Sequence, residues 1–194
     1  EEAKEIVLNS VVKVDSEVVD ITSSLNRILA CDIYSDIDLP VFDNSAMDGY
    51  AVISSELKGA SSEQPVCLEI VGEIPAGYTY CGRLKNGSAI KIMTGAPIPE
   101  GADAVVPIEY TKAEGKLVKV FRGVKEKENI RYKGEDVTRG KVVIAKGKKL
   151  SPVDIGMLAA QNLHTVSVAK APSVSILATG DEIIDIGEEL SPGK

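Results

Sequence analysis

Between residues 49 and 144 the chain breaks into short apolar runs, each closed by a turn signal, and that rhythm constrains the fold more than any other feature. The runs cover 50–53, 66–71, 89–93, 104–108, 117–121 and 141–145. Runs this short read as strands, and strands recurring at such spacing predict a β-barrel or sandwich. Composition agrees. Val and Ile together number 41 against 13 Leu, and β-branched side chains fit a pleated, half-buried surface. The 17 Gly and 9 Pro supply the turns.

Outside this stretch the pattern changes. Residues 1–8 have helical composition, and Asp20 is placed to cap a short helix over 21–27. Residues 29–34 alternate as a strand, and 36–48 carry too much turn chemistry for one regular element. Ser151-Pro152-Val153-Asp154 puts a capping hydroxyl before a proline, with a carboxylate in the first turn, which predicts a helix ending near Asn162. A strand over 163–169 follows. Residues 173–179 are nearly continuously apolar and close at Gly180, the pattern of a strand buried on both faces of a parallel sheet. No long helix follows, so 171–194 is expected to start an α/β domain whose remainder is absent.

The balance of 22 Lys+Arg against 29 Asp+Glu, a net charge of −7, argues against nucleic-acid binding, which needs cations to replace phosphate counterions. A small anionic ligand stays compatible with it. No run is long and apolar enough for a membrane span, and the acidic start lacks the features of a secretory leader. Cys31, Cys67 and Cys81 match neither a zinc pattern nor a disulfide framework and read as reduced thiols of a cytoplasmic protein. His164, the single histidine, reads as a packing or surface residue, so Ser–His catalysis and His-bound zinc have no basis.

Four polar turns remain as places for chemistry. They are 43–50 with Asp48, 93–99 with Thr94, 134–136 with Asp136, and 179–182 with Asp181 and Glu182. Each reads equally as a structural turn, since Asn, Asp and Ser bond their own backbone. The fourth ends an expected α/β strand, where such sheets bind ligands. Hard oxygen donors of this kind suit Mg²⁺ or an oxyanion assembly.

Taken in order, these stretches resemble the molybdopterin molybdenumtransferase family, the MoeA-type enzymes and the E domain of gephyrin. The resemblance is carried by Leu39-Pro40-Val41-Phe42-Asp43-Asn44-Ser45-Ala46-Met47-Asp48-Gly49-Tyr50, Gly72-Glu73-Ile74-Pro75-Ala76-Gly77, Ile92-Met93-Thr94-Gly95-Ala96-Pro97, Arg131-Tyr132-Lys133-Gly134-Glu135-Asp136 and Ala178-Thr179-Gly180-Asp181-Glu182. It implies a mixed α and β, multidomain fold. A helical/linker scaffold would span 1–40 and 137–170, a β-rich, barrel-like domain 41–136, and the first strand of a truncated α/β molybdopterin-binding domain 171–194. It implies insertion of molybdate into adenylylated molybdopterin with release of AMP, using Mg²⁺, in a cytoplasmic homodimer that works among other molybdenum cofactor synthesis enzymes. Asp48, Thr94, Asp136 and Glu182 are the catalytic positions it carries over. Thr94, Asp181 and Glu182 are the cofactor-binding positions, with Asp181 and Glu182 available to a metal. The chain is expected to be an N-terminal fragment, inactive alone. The alternative that the resemblance leaves open is a non-catalytic, gephyrin-like interaction scaffold.

Overall fold

A computed structural model describes residues 1–189 and 191–193 and divides into two compact units, one formed by 1–31 with 145–194, the other by 32–144. The second unit is built on a six-stranded, curled half-barrel sheet in the order β7-β4-β6-β5-β9-β8. Its strands are β4 (Gly49–Val52), β5 (Val66–Ile74), β6 (Ser88–Ile92), β7 (Ala104–Pro107), β8 (Thr111–Glu114) and β9 (Leu117–Val120). All ladders are antiparallel except β5–β6, which is parallel. Each run expected over 50–121 forms a strand. β8 was not expected, because Thr111-Lys112-Ala113-Glu114 is an exposed edge with no apolar signature.

The core lies on both faces of this sheet. Tyr50, Val52, Ala104, Val106 and Leu68 pack on one face, and Ala51, Val105, Ile90, Ile92 and Ile74 on the other. The two-residue period of a strand sorts neighbours such as Tyr50 and Ala51 to opposite sides, so a run like Ala104-Val105-Val106 is apolar throughout because both sides are covered. β5 contributes to both faces by a different device. Its pairing with β6 shifts between Ile70 and Gly72, leaving Val71 extra, so Leu68 and Ile70 face one cluster and Ile74 faces the other. A bulge inverts the phase of everything after it.

The same unit contains two shorter pairings. β2 (Ile33–Tyr34) pairs with β11 (Val142–Ile144), and β3 (Asn44–Ser45) with β10 (Ile130–Arg131), both antiparallel. The strand expected over 29–34 is therefore confined to its last two residues, while Leu29 belongs to the first unit.

That first unit holds α1 (Glu2–Ser10), β1 (Ser16–Asp20), α2 (Pro152–Ala160) and β12 (Thr165–Ala169), with β1 and β12 antiparallel. Its interior is small: Leu29, Leu150, Leu158, Val166 and Val168. α1 buries no residue. α2 begins as its sequence dictates. The Ser151 hydroxyl accepts from the Asp154 N–H, and the Asp154 carboxylate accepts from the Ser151 N–H at 2.9 Å and from its hydroxyl at 2.6 Å. The Asp20 side chain also caps, but only a single 3₁₀ turn over Ile21–Ser23, not a helix to residue 27.

The expected strand over 173–179 does not form. This stretch has no regular structure and is exposed, Ile176 by 91% and Leu177 by 86%. An all-apolar strand needs ladders on its sides and helices over its faces, and among the described residues nothing pairs with it. The rest of the expected domain includes Leu190 and Lys194, which lie outside the described residues.

Candidate functional site

Asp48 is the last residue before β4, and its position is set by backbone contact. At Gly49, which pairs with Pro107 of β7, a Cβ would lie 1.9 Å from the Val106 carbonyl oxygen, so only glycine lets the two strands approach this closely. The Ile108 N–H then donates to the Asp48 carbonyl at 3.0 Å. With its main chain held, the carboxylate extends past the end of β6. There the Thr94 N–H and the Thr94 hydroxyl both donate to Asp48 Oδ1, each at 2.7 Å. Those donors, the backbone N–H first and then the hydroxyl, hold the Asp48 carboxyl below the ordinary aspartate value.

Thr94 is fixed from its other side as well. The Met93 N–H donates to the Ile74 carbonyl at the end of β5, and the Gly95 N–H to the Ser45 carbonyl at 2.8 Å. Ser45 is fully buried, and its hydroxyl donates to the Met47 carbonyl at 2.5 Å. The turn chemistry expected of the 43–48 loop is therefore present in Ser45, while Asp48 of the same loop reaches a different segment.

The third polar turn is tied to this loop. β10 places Arg131 opposite Asn44 of β3. Asp43 Oδ1 accepts from the Lys133 N–H at 2.8 Å, and Asp38 Oδ1 from the Arg139 N–H at 2.9 Å. The Asp136 N–H donates to the Leu39 carbonyl at 2.9 Å, so the segment returns beside its start. Across it the Arg131 guanidinium pairs with the Asp136 carboxylate, which pushes the Arg131 pKa up and keeps it charged.

These segments enclose an open cavity of about 400 Å³ lined by Leu39, Pro40, Asn44, Ser45, Ala46, Thr94, Gly95, Arg131 and Asp136. Its chemistry is mixed. Arg131 can read an oxyanion, Asp136 balances it, and Thr94 offers a hydroxyl.

Of the residues singled out in sequence, the fold brings Asp48, Thr94 and Asp136 together in one unit. Asp48 touches Thr94, and Thr94 and Asp136 share the cavity. Asp181 and Glu182 belong to the other unit, adjacent and exposed in a turn. Sequence reasoning missed Arg131, Asn44 and Ser45 as lining residues. Arg131 had a signal in the Arg-Tyr-Lys segment that carried the resemblance, whereas Asn44 and Ser45 looked like turn formers only.

A resident Mg²⁺ finds no complete donor set. Among the described residues no three His, Cys, Asp or Glu side chains gather to hold a metal ion. Asp48 Oδ1 is occupied by Thr94, Asp136 is neutralised by Arg131, and Asp181 with Glu182 make only a pair. Nor is any helix among the described residues long and apolar enough to cross a membrane.

Comparison with known proteins bears on the same segments. Residues 1–161 match the family model of the MoeA N-terminal region (domain I and II). The chain is 40% identical over 193 residues to a molybdopterin molybdenumtransferase of Nostoc sp., covering 97% of this chain and 44% of that protein. It is 41% identical over 184 residues to the molybdopterin molybdenumtransferase of Bacillus subtilis, covering 93% and 43%. The crystal structure of a molybdopterin biosynthesis moeA protein from Pyrococcus horikoshii OT3 superposes with a TM-score of 0.89 at 39% identity, over 97% of this chain and 50% of that one. The chain thus spans about half the length of the relatives it matches.

Proposed function

The chain belongs to the MoeA N-terminal family, and from that premise we propose that it serves molybdenum cofactor biosynthesis as part of a molybdopterin molybdenumtransferase. The reaction is insertion of molybdate into adenylylated molybdopterin. The dithiolene thiols give up their protons and their sulfurs replace oxygen ligands of molybdate, which leave as water; water hydrolyses the phosphoanhydride, and AMP leaves. The observation that carries this reading is the cavity itself: a charged guanidinium held in place by Asp136, beside a hydroxyl held in place by Asp48.

Each side chain then has a definite task. Arg131 meets an oxyanion of the substrates with its planar fork of donors, a geometry that suits phosphate and molybdate alike. Asp136 orients that fork. Asp48 locks Thr94, so the group facing the substrate is rigid before binding, which lowers the ordering cost of reaching a reactive geometry. Asp181 and Glu182 are assigned to the pterin side of a cleft completed in a homodimer, and the protein works in the cytoplasm with other cofactor-synthesis enzymes. Mg²⁺ is expected from the resemblance, but the donor set of the described residues does not fit it alone.

The domain reading belongs to the same proposal. Residues 1–40 with 137–170 form a scaffold, 41–136 the β-rich domain, and 171–194 the opening of an α/β domain. Two compact units that divide at 31/32 and 144/145, inside the scaffold segments of that reading, support the first two.

The test is AMP release from adenylylated molybdopterin by the protein that carries this chain. Replacing Asp48 with alanine is expected to lower the rate about 100-fold, the scale of a misplaced positioning group, with an unchanged far-UV circular dichroism spectrum. Wild-type turnover by that variant would remove the Asp48–Thr94 pair from the reaction.

A further inference from the structure

The hydrogen-bond inventory of the cavity carries information about what can sit at Thr94. A threonine hydroxyl has one hydrogen to donate and two lone pairs to accept with, and ordinarily its rotation adapts to whichever partner arrives. At Thr94 that freedom is gone. Both the backbone N–H and the hydroxyl meet the same oxygen, Asp48 Oδ1, at 2.7 Å. An ionised carboxylate only accepts, so the hydroxyl hydrogen is committed to it. Asp48 is ionised at neutral pH like any ordinary aspartate, and the same two donors favour that charged form further. What remains of the Thr94 oxygen is two lone pairs.

The other hydroxyl of the cavity wall is unavailable: Ser45 is fully buried and donates to the Met47 carbonyl. Asn44 is largely buried, with its amide nitrogen 3.3 Å from the Phe42 carbonyl. The cavity is therefore sorted by polarity, with the Arg131 guanidinium as its charged donor and Thr94 as a fixed acceptor.

We infer that Asp48 acts as a positioning residue that makes Thr94 an obligate hydrogen-bond acceptor, so that the Thr94 subsite takes an N–H or O–H edge of an organic ligand and rejects a bare oxyanion. A fully deprotonated tetraoxyanion offers acceptors alone, and at Thr94 it would meet lone pairs with lone pairs. The oxyanion goes to Arg131, and the donor edge of the organic part goes to Thr94. This inference rests on the proposed function for the identity of that ligand, whose pterin ring carries an amino group and a ring N–H.

The test uses two probes, pterin-6-carboxylate, which has both a donor edge and an anionic group, and molybdate, which has only the latter. Affinities of the protein carrying this chain are measured by titration calorimetry. Thr94→Val, which keeps the shape and loses the oxygen, is expected to weaken pterin-6-carboxylate about tenfold, the scale of one lost hydrogen bond, and to leave molybdate unchanged. Thr94→Ser is expected to restore pterin binding. Asp48→Asn keeps an accepting oxygen and is expected to retain the preference, whereas Asp48→Ala frees the hydroxyl to donate and is expected to bring the two probes closer in affinity. Equal weakening of both probes by Thr94→Val, failure of the serine variant to rescue, or absence of pterin binding by the wild type would overturn the inference. Loss of AMP release in Asp48→Ala with an unaltered probe preference would overturn it while sparing the proposed reaction. An altered preference with full AMP release would do the reverse.

Discussion

Two apolar stretches of similar residue make-up meet opposite fates in this chain. In β4, Gly49-Tyr50-Ala51-Val52 is buried at every position, with Ala51 and Val52 at 0% exposure. The stretch 173–179 lies open to solvent, with Val174 78% exposed. Neither sequence contains the difference. β4 has β6 and β7 on its two sides and a cluster over each face, and 173–179 has no such neighbours among the described residues. Apolar residues propose a strand, but the ladder and the layers on either side make it one. The contrast also separates the candidate site residues, since Asp48 inherits a fixed position from β4 and Glu182 follows a segment with no such frame.

Substitutions should reproduce the contrast in stability. Ile90→Ala, which opens a cavity beneath a fully buried side chain, is expected to cost about 2–5 kcal/mol in urea denaturation. Gly49→Ala is expected to cost about 1–3 kcal/mol, because the added methyl must force β4 from the Val106 carbonyl. A neutral result for either would break the account of a sheet packed on both faces.

The first unit supplies a middle case, where order comes from a cap more than from a core. Burial alone would raise the Asp154 carboxyl. The Lys148 ammonium at 2.6 Å and the Ser151 donors outweigh it and bring it down to about 2. Because the folded value lies below the unfolded one, the stabilisation is complete above the ordinary aspartate value of 3.8 and is lost as pH falls through about 2. With Lys148 half exposed, about 1–2 kcal/mol should disappear over that window, and Asp154→Asn should abolish the dependence. An acid titration of α2 helicity indifferent to the substitution would show the cap to be idle. Smallest of all, Ile176→Ala should lie within about 0.5 kcal/mol of wild type, and a cost like that of Ile90→Ala would mean that the stretch is packed after all.

What sequence could reveal follows the same division. The strands of the large sheet and the start of α2 were readable because periodicity and capping chemistry are local. β10 was not, being two residues whose pairing with β3 depends on contacts far along the chain. Asp48, Thr94 and Asp136 could be named from their turns and the family resemblance, yet nothing local said that one Asp48 oxygen would take both Thr94 donors. Arg131 was visible as part of a resembling segment but not as a lining residue, because a cation among Lys and Glu looks like any solvated face until Asp136 is seen across from it. The shift in β5 left no mark at all.

That shift reaches further than the core. Ile74 occupies its place only because Val71 is one residue too many for the neighbouring strand, and the Ile74 carbonyl holds the amide of Met93, next to Thr94. The reach of the Thr94 hydroxyl is thus counted out on a strand that contributes nothing to the cavity wall. Adding or removing one residue there would move Thr94 relative to Asp48 without altering either, a route by which such a site could be retuned while its own loops stay untouched.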